Sequence, residues 1–209
     1  FVTDIAFLRR QGDLLLSISS TADWVGIQSW GYDGNPHIDQ IAFADGTVWD
    51  YNYLLSRVGA LIGVPLFGAE DGDYLTAWAG EDATLFGLEG DDEIEGGDGS
   101  DILEGGLGND YLYGGFGSDV YAFNLGDGQD TVEDDDYDGA VDTLQFGAGI
   151  ANTDISLTLD GSDLILSISG TSDQVRLQYW ADGDDYRVEQ VQFDDGTVWD
   201  RAEVQHLLN

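Results

Sequence analysis

A mainly β architecture is expected of this chain. A parallel β-roll over residues 64–145 is capped at both ends by a small duplicated β-domain, residues 1–63 and 146–209, with a short C-terminal helix in each. Three observations carry that expectation. A nine-residue unit runs without insertion from Gly87 to Val120. Residues 153–200 repeat residues 3–50 at a constant offset of 150, with 22 identities in 48 aligned positions. The duplicated segments show the two-residue apolar alternation of strands, as in DLLLSISS at 13–20 and DLILSISG at 163–170.

The first segment opens with that alternation, followed by WVGIQSW at 24–30 and a turn containing Gly31, Asp33, Gly34, Asn35 and Pro36. IDQIAFADGTVWD at 38–50 places two apolar runs around Asp45-Gly46, a pair suited to a tight hairpin because it tolerates positive φ. Tyr51, Leu54, Leu55 and Val58 have helical spacing, with Gly59 placed to end the helix. Residues 64–67, with Pro65, read as a connector. Two degenerate repeats follow: GAEDGDYLTA carries Asp73, and WAGEDATLF keeps Leu85 but has Asp82 one place early and Ala83 where an Asp belongs.

In the regular repeats each unit has glycines at its start, Asp at position six and a large apolar residue at position eight. The acids are Asp92, Asp101, Asp110 and Asp119; their apolar partners are Ile94, Leu103, Leu112 and Tyr121. Glycine permits positive φ and close backbone approach to an ion. Strand periodicity around position eight turns that residue inward. Two units make one coil, so turns on the same side lie eighteen residues apart, pairing Asp92 with Asp110 and Asp101 with Asp119. Carboxylates and backbone carbonyls together suit Ca2+, which takes about six to eight oxygen ligands. Several Ca2+ ions are therefore expected. Their candidate residues are Gly87, Gly90 and Asp92; Gly96, Gly97, Gly99 and Asp101; Gly105, Gly106, Gly108, Asn109 and Asp110; and Gly114, Gly115, Gly117 and Asp119. Asp73 and Asp82 mark weaker positions before this run. After it the register breaks, leaving Asp130 and Asp142 as candidates at the exit, while the acids at 133–136 read as a solvated face.

The second copy ends in VEQVQFDDGTVWD and a helix-like tail at 201–208. Trp30, Trp49, Trp180 and Trp199 recur in the two copies and are expected in their cores. A solenoid needs its apolar ends covered, which gives a β-domain on each side a structural purpose. The constant offset also suggests that roll plus cap is one unit of a tandem array. The chain starts at Phe1 without an initiator Met, which points to a piece of a larger protein.

Forty-two acids against six arginines and no lysine leave a net charge of −36. Twenty-three of the acids fall in residues 70–142, and no basic residue or His lies between Arg57 and Arg176. Such a surface repels nucleic acid and anionic lipid, so divalent cations are the expected counter-charge. There is no Cys, hence no disulfide framework and no thiolate site. There is no run of eighteen apolar residues to span a membrane and no Sec-type signal segment. His37 is replaced by Arg187 in the second copy, and GxSxG and HExxH are both missing. No enzyme is expected.

The nonapeptides resemble the calcium-binding β-roll of the RTX (repeats-in-toxin) family. The duplicated unit, with its IDQIAFADGTVWD and VEQVQFDDGTVWD phrases, resembles the haemolysin-type calcium-binding-related domain that accompanies such rolls, joined through the stretch at 124–150. This resemblance implies a secreted, extracellular module that folds on binding calcium. It also implies the type I secretion machinery as a partner, with an uncleaved C-terminal signal. The alternative is a carbohydrate-binding or adhesive module of a larger extracellular enzyme or adhesin, similar to the R-modules of alginate epimerases, with a polysaccharide or cell-surface ligand. Oligomeric state is not legible.

Overall fold

A computed structural model describes residues 5–10, 13–18, 24–27, 40–42, 48–50, 65–68, 70, 72–77, 80, 82–134, 139–183 and 188–208. The helix expected over 51–63, the turn at 31–36, Trp30 and Trp78 lie outside those residues.

The first copy contributes β1 (Ile5–Arg10), β2 (Asp13–Ile18) and β3 (Trp24–Ile27) as an antiparallel sheet, and β4 (Gln40–Ala42) with β5 (Val48–Asp50) as a hairpin. Then come β6 (Leu66–Phe67), β7 (Tyr74–Thr76), β8 (Thr84–Glu89), β9 (Glu93–Asp98), β10 (Ile102–Leu107), β11 (Tyr111–Phe116), β12 (Val120–Phe123), β13 (Gln129–Glu133) and β14 (Thr143–Phe146). These alternate between two parallel sheets. β6, β8, β10, β12 and β14 line one side; β7, β9, β11 and β13 line the other. The eighteen-residue coil is explicit in the registers, where Ile102 opposes both Thr84 and Val120, and Tyr111 opposes Glu93.

The inward residues form one stack. Leu75, Leu85, Ile94, Leu103, Leu112, Tyr121, Val132 and Leu144 are all buried, with their strand neighbours turned out. This follows from the period-two geometry of strands, which sends position eight of every unit to the same side. The proposed connector at 64–67 proves different: Leu66 and Phe67 pair with Leu85 and Phe86, and Leu66 is buried. The first inner strand of the roll needs a neighbour, and Leu66 supplies an inward residue where the nonapeptide pattern is absent.

The second copy continues the same sheets. β15 (Ile155–Asp160), β16 (Asp163–Ile168) and β17 (Gln174–Leu177) form a meander whose last strand runs parallel to β13. β18 (Gln190–Gln192) runs parallel to β14 and turns back as β19 (Val198–Asp200). Two seven-stranded sheets result, and β14 spans the 145/146 position. Helix α1 (Arg201–Leu207) follows, its N-terminus capped by the Asp200 side chain, which accepts from the Glu203 N–H at 2.9 Å. Trp180 and Trp199 are buried in the core here, and Phe193 packs edge-on against Trp199 at 4.8 Å.

Candidate metal centre

In the regular repeats each turn ends on an Asp immediately before the next strand. Its carboxylate reaches one coil back. On one flank, Asp92 Oδ1 accepts the Asp73 N–H at 2.7 Å, Asp110 Oδ1 the Asp92 N–H at 2.8 Å, and Asp130 Oδ1 the Asp110 N–H at 3.1 Å. On the other flank, Asp101 Oδ1 accepts from Ala83 N–H at 2.7 Å, Asp119 Oδ1 from Asp101 N–H at 2.8 Å, and Asp142 Oδ1 from Asp119 N–H at 2.7 Å. The expected pairs, Asp92 with Asp110 and Asp101 with Asp119, are thus neighbours in continuous ladders. Asp130 and Asp142 join those ladders although their spacing is 20 and 23 residues. The loops before them absorb the extra residues, and the strand register is kept.

One oxygen of each carboxylate is spent on the ladder; for Asp92, Asp101, Asp110 and Asp119 the other lies against a glycine. A Cβ on Gly87 would overlap both Asp92 Oδ2 and the Gly105 carbonyl oxygen, and one on Gly96 both Asp101 Oδ2 and the Gly114 carbonyl oxygen. At Gly105 and Gly114 the same overlap occurs with Asp110 Oδ2 and Asp119 Oδ2. At Gly87 the Asp92 carboxylate and Gly105 carbonyl oxygens therefore converge on one point, as the Asp101 carboxylate and Gly114 carbonyl oxygens do at Gly96. Among the described residues, Oδ2 of Asp92, Asp110 and Asp130 is buried and accepts no hydrogen bond. An ionised carboxylate buried in that way costs several kcal/mol unless a cation meets it, and no basic residue lies between Arg57 and Arg176. A hard divalent cation fits this donor set. No three His, Cys, Asp or Glu side chains gather at a single point among the described residues, so an ion here draws on carbonyls as well as carboxylates.

The electrostatics carry the same message. Burial pushes Asp110 up to about 7, against the opposing hydrogen bond from the Asp92 backbone and with the Asp92, Asp91 and Asp127 charges adding to the rise. Asp130 is pushed up to about 8, again chiefly by burial, and Asp92 is raised for the same reason. Without a cation, these groups resist ionising.

The remaining candidates divide. Gly90, Gly97, Gly99, Gly106, Gly108, Gly115 and Gly117 have φ between 94° and 152°, a conformation that only glycine holds without strain. Leu88 occupies the matching second position of its repeat with φ 86°, opposite Gly106. Asp73 heads the first ladder through its N–H. Asp82 stands elsewhere: it is exposed and accepts the Ser100 N–H, in the outer row where Asp91 accepts from Asn109. The solvated-face reading of 133–136 needs correction at two positions. Asp134 is buried with Tyr121 Oη 3.5 Å away, and Glu133 accepts a hydrogen bond from the Tyr111 hydroxyl.

One acid escaped the repeat-based reading. Glu189 Oε2 accepts the Asp142 N–H at 2.8 Å, continuing the second ladder into the second copy. Its signal was the acid before the first strand of the duplicated hairpin, Asp39 in one copy and Glu189 in the other.

Residues 84–121 match the RTX calcium-binding nonapeptide repeat (4 copies), and residues 13–53 and 163–203 match the haemolysin-type calcium binding protein related domain. The chain is similar to the iron-regulated protein FrpA of Neisseria meningitidis serogroup C, with 45% identity over 93 residues, 43% of this chain and 8% of that protein. It therefore spans only a small part of that relative's length. Solved structures similar to it include the extracellular lipase LipA from Serratia marcescens, with TM-score 0.46 and 20% identity over 91% of this chain and 31% of that one. Another is the AlgE6R3 subunit of the Azotobacter vinelandii mannuronan C5-epimerase, with TM-score 0.33 and 25% identity over 56% of this chain and 72% of that one. On the family matches along its length, the chain belongs to the RTX (repeats-in-toxin) proteins, as a calcium-binding nonapeptide roll with a haemolysin-type calcium-binding-related domain on either side.

Proposed function

We propose that this chain is a calcium-dependent folding module of a secreted protein. In this reading Asp92, Asp101, Asp110, Asp119, Asp130 and Asp142 are the carboxylate ligands, with turn carbonyls such as those of Gly105 and Gly114 completing each site. The ion supplies the positive charge that the sequence withholds from its own roll. The observation that carries the reading is the convergence of buried Asp92 Oδ2 and the Gly105 carbonyl oxygen beside Gly87.

Binding free energy becomes folding free energy when no site exists in the open chain. A site held at ten times its dissociation constant contributes about 1.4 kcal/mol. Several sites together therefore amount to a sizeable part of a domain's net stability of about 5–15 kcal/mol. In calcium-poor cytosol the roll stays open and fit for export by type I secretion; in extracellular calcium it closes. The module has no catalysis of its own in this account. The sugar-binding alternative has less support, because Trp180 and Trp199, two of the four recurring tryptophans that could otherwise stack on a sugar ring, are buried.

The test is calorimetric titration of the 209-residue chain with calcium. Saturable uptake of several ions, reduced in Asp110→Asn, is expected. Uptake in Asp110→Asn equal to the parent in number and affinity removes Asp110 from the ligand set.

A further inference from the structure

In the second copy, two strand edges join the duplicated domain to the end of the roll. β17 lies parallel on β13, with Asp130 opposite Val175 and Val132 opposite Leu177, and the Gln174 N–H donates to Gly128 O at 2.8 Å. β18 lies parallel on β14, with Leu144 opposite Val191, and the Gln190 N–H donates to Asp142 O at 3.1 Å. Val175, Leu177 and Val191 are buried there.

The first copy builds the same five strands at the same offset and in the same register. Ile5 opposes Ile18 as Ile155 opposes Ile168, Leu14 opposes Ile27 as Leu164 opposes Leu177, and Gln40 opposes Asp50 as Gln190 opposes Asp200. It keeps the sequence of the joining edges too: Val25 for Val175, Ile27 for Leu177, Asp39 for Glu189, Gln40 for Gln190 and Ile41 for Val191. Yet among the described residues β3 pairs only with β2, and β4 only with β5. Among the described residues the roll of this chain does not supply that neighbour. Its C-terminal strands β13 and β14 are taken by β17 and β18, and its first strands β6 and β7 pair with β8 and β9.

We propose that the outer edges of β3 and β4 seat the final coil of a second, calcium-loaded nonapeptide roll by parallel strand pairing. In sequence Val25, Ile27 and Ile41 correspond to Val175, Leu177 and Val191, the buried residues by which the second copy continues the resident roll's apolar stack. Strand addition at a sheet edge draws its affinity from main-chain hydrogen bonds and its selectivity from alternate side chains. A roll end offers two such parallel edges, as β13 and β14 offer theirs to β17 and β18 in this chain. The claim rests on the calcium reading of the roll.

The experiment fuses an extra copy of residues 64–150 directly ahead of residue 1, so that 150 runs into 1 as it runs into 151 in the chain itself. About twice the calcium per chain is expected, since stacked repeats contribute nearly additively, together with hydrogen-exchange protection of the added roll. Gln40→Pro in the fusion removes the N–H equivalent to that of Gln190 and is expected to abolish protection of the added roll while the resident roll keeps its own. The docking claim is overturned if the added roll takes up no calcium while the resident one does. It is equally overturned if Gln40→Pro changes nothing, or if the extra roll folds as well when fused behind residue 209. Failure of both rolls to bind calcium instead overturns the metal reading beneath it.

Discussion

Asp110 shows how one residue serves two purposes. Oδ1 fixes the coil spacing by accepting the Asp92 N–H, and Oδ2 is presented to the space beside Gly105. Asp110→Asn keeps an acceptor for the first role and removes the charge needed for the second. Calcium affinity is expected to fall about tenfold or more, at least the loss seen on removing a metal site's supporting groups, while Gly105→Ala should act as severely by driving a methyl into the same carboxylate. Titration calorimetry on both variants checks this, and an unaltered Gly105→Ala would contradict the cradle. Protonation should mimic the charge loss. Asp110 and Asp130 sit near 7 and 8 when folded without metal, above the ordinary value of 3.8. The metal-free folded chain thus holds protons that the unfolded chain releases, and its stability falls as pH rises from 3.8 through about 8. With calcium the order reverses, because protons compete for the same oxygens. The calcium midpoint should rise as pH is lowered from about 8 to about 5; a midpoint independent of pH contradicts buried carboxylate ligands. Leu88 gives a prediction of opposite sign. It holds φ 86° where other repeats have glycine, and its side chain is largely exposed, so Leu88→Gly should stabilise the calcium-loaded chain by about 1 kcal/mol, read as a higher unfolding temperature.

At the scale of strands, the roll depends on one apolar residue per unit. Leu103 is fully buried between Leu85 and Tyr121, and Leu103→Ala should cost about 2–5 kcal/mol. Because folding and calcium uptake are linked, that loss should appear as a shift of the folding midpoint to higher calcium. The sequence was most readable here. Nine-residue spacing gave coil length, inward residue and flank pairing without ambiguity, since each unit is a half-coil and a one-residue slip would turn every Leu outward. It was least readable where spacing changed. Asp130 and Asp142 keep their ladder places despite irregular loops, because hydrogen bonds between coils, invisible to residue counting, set the register. Leu66 and Phe67 were unrecognised as a strand because two residues carry no periodicity. Glu189 was missed because the ladder enters the second copy across 47 residues of chain.

For the whole molecule, the decisive imbalance is charge. Acids crowd residues 70–142 with no base among them, while hydrophobic stacking supplies a single file of inward side chains. The second copy then extends both sheets of the roll, with Trp180 and Trp199 buried and α1 following β19. Self-repulsion without metal favours an open roll. Monovalent salt screens that repulsion without occupying the sites beside Gly87 and Gly105, so about 0.5 M KCl with a chelator should not replace calcium in folding the roll. The most direct measurement is far-UV circular dichroism of the 209-residue chain in chelator and then in saturating calcium. The account predicts a largely unfolded roll in chelator and a cooperative gain of β signal on adding calcium; a fully folded, calcium-insensitive spectrum in chelator would contradict it.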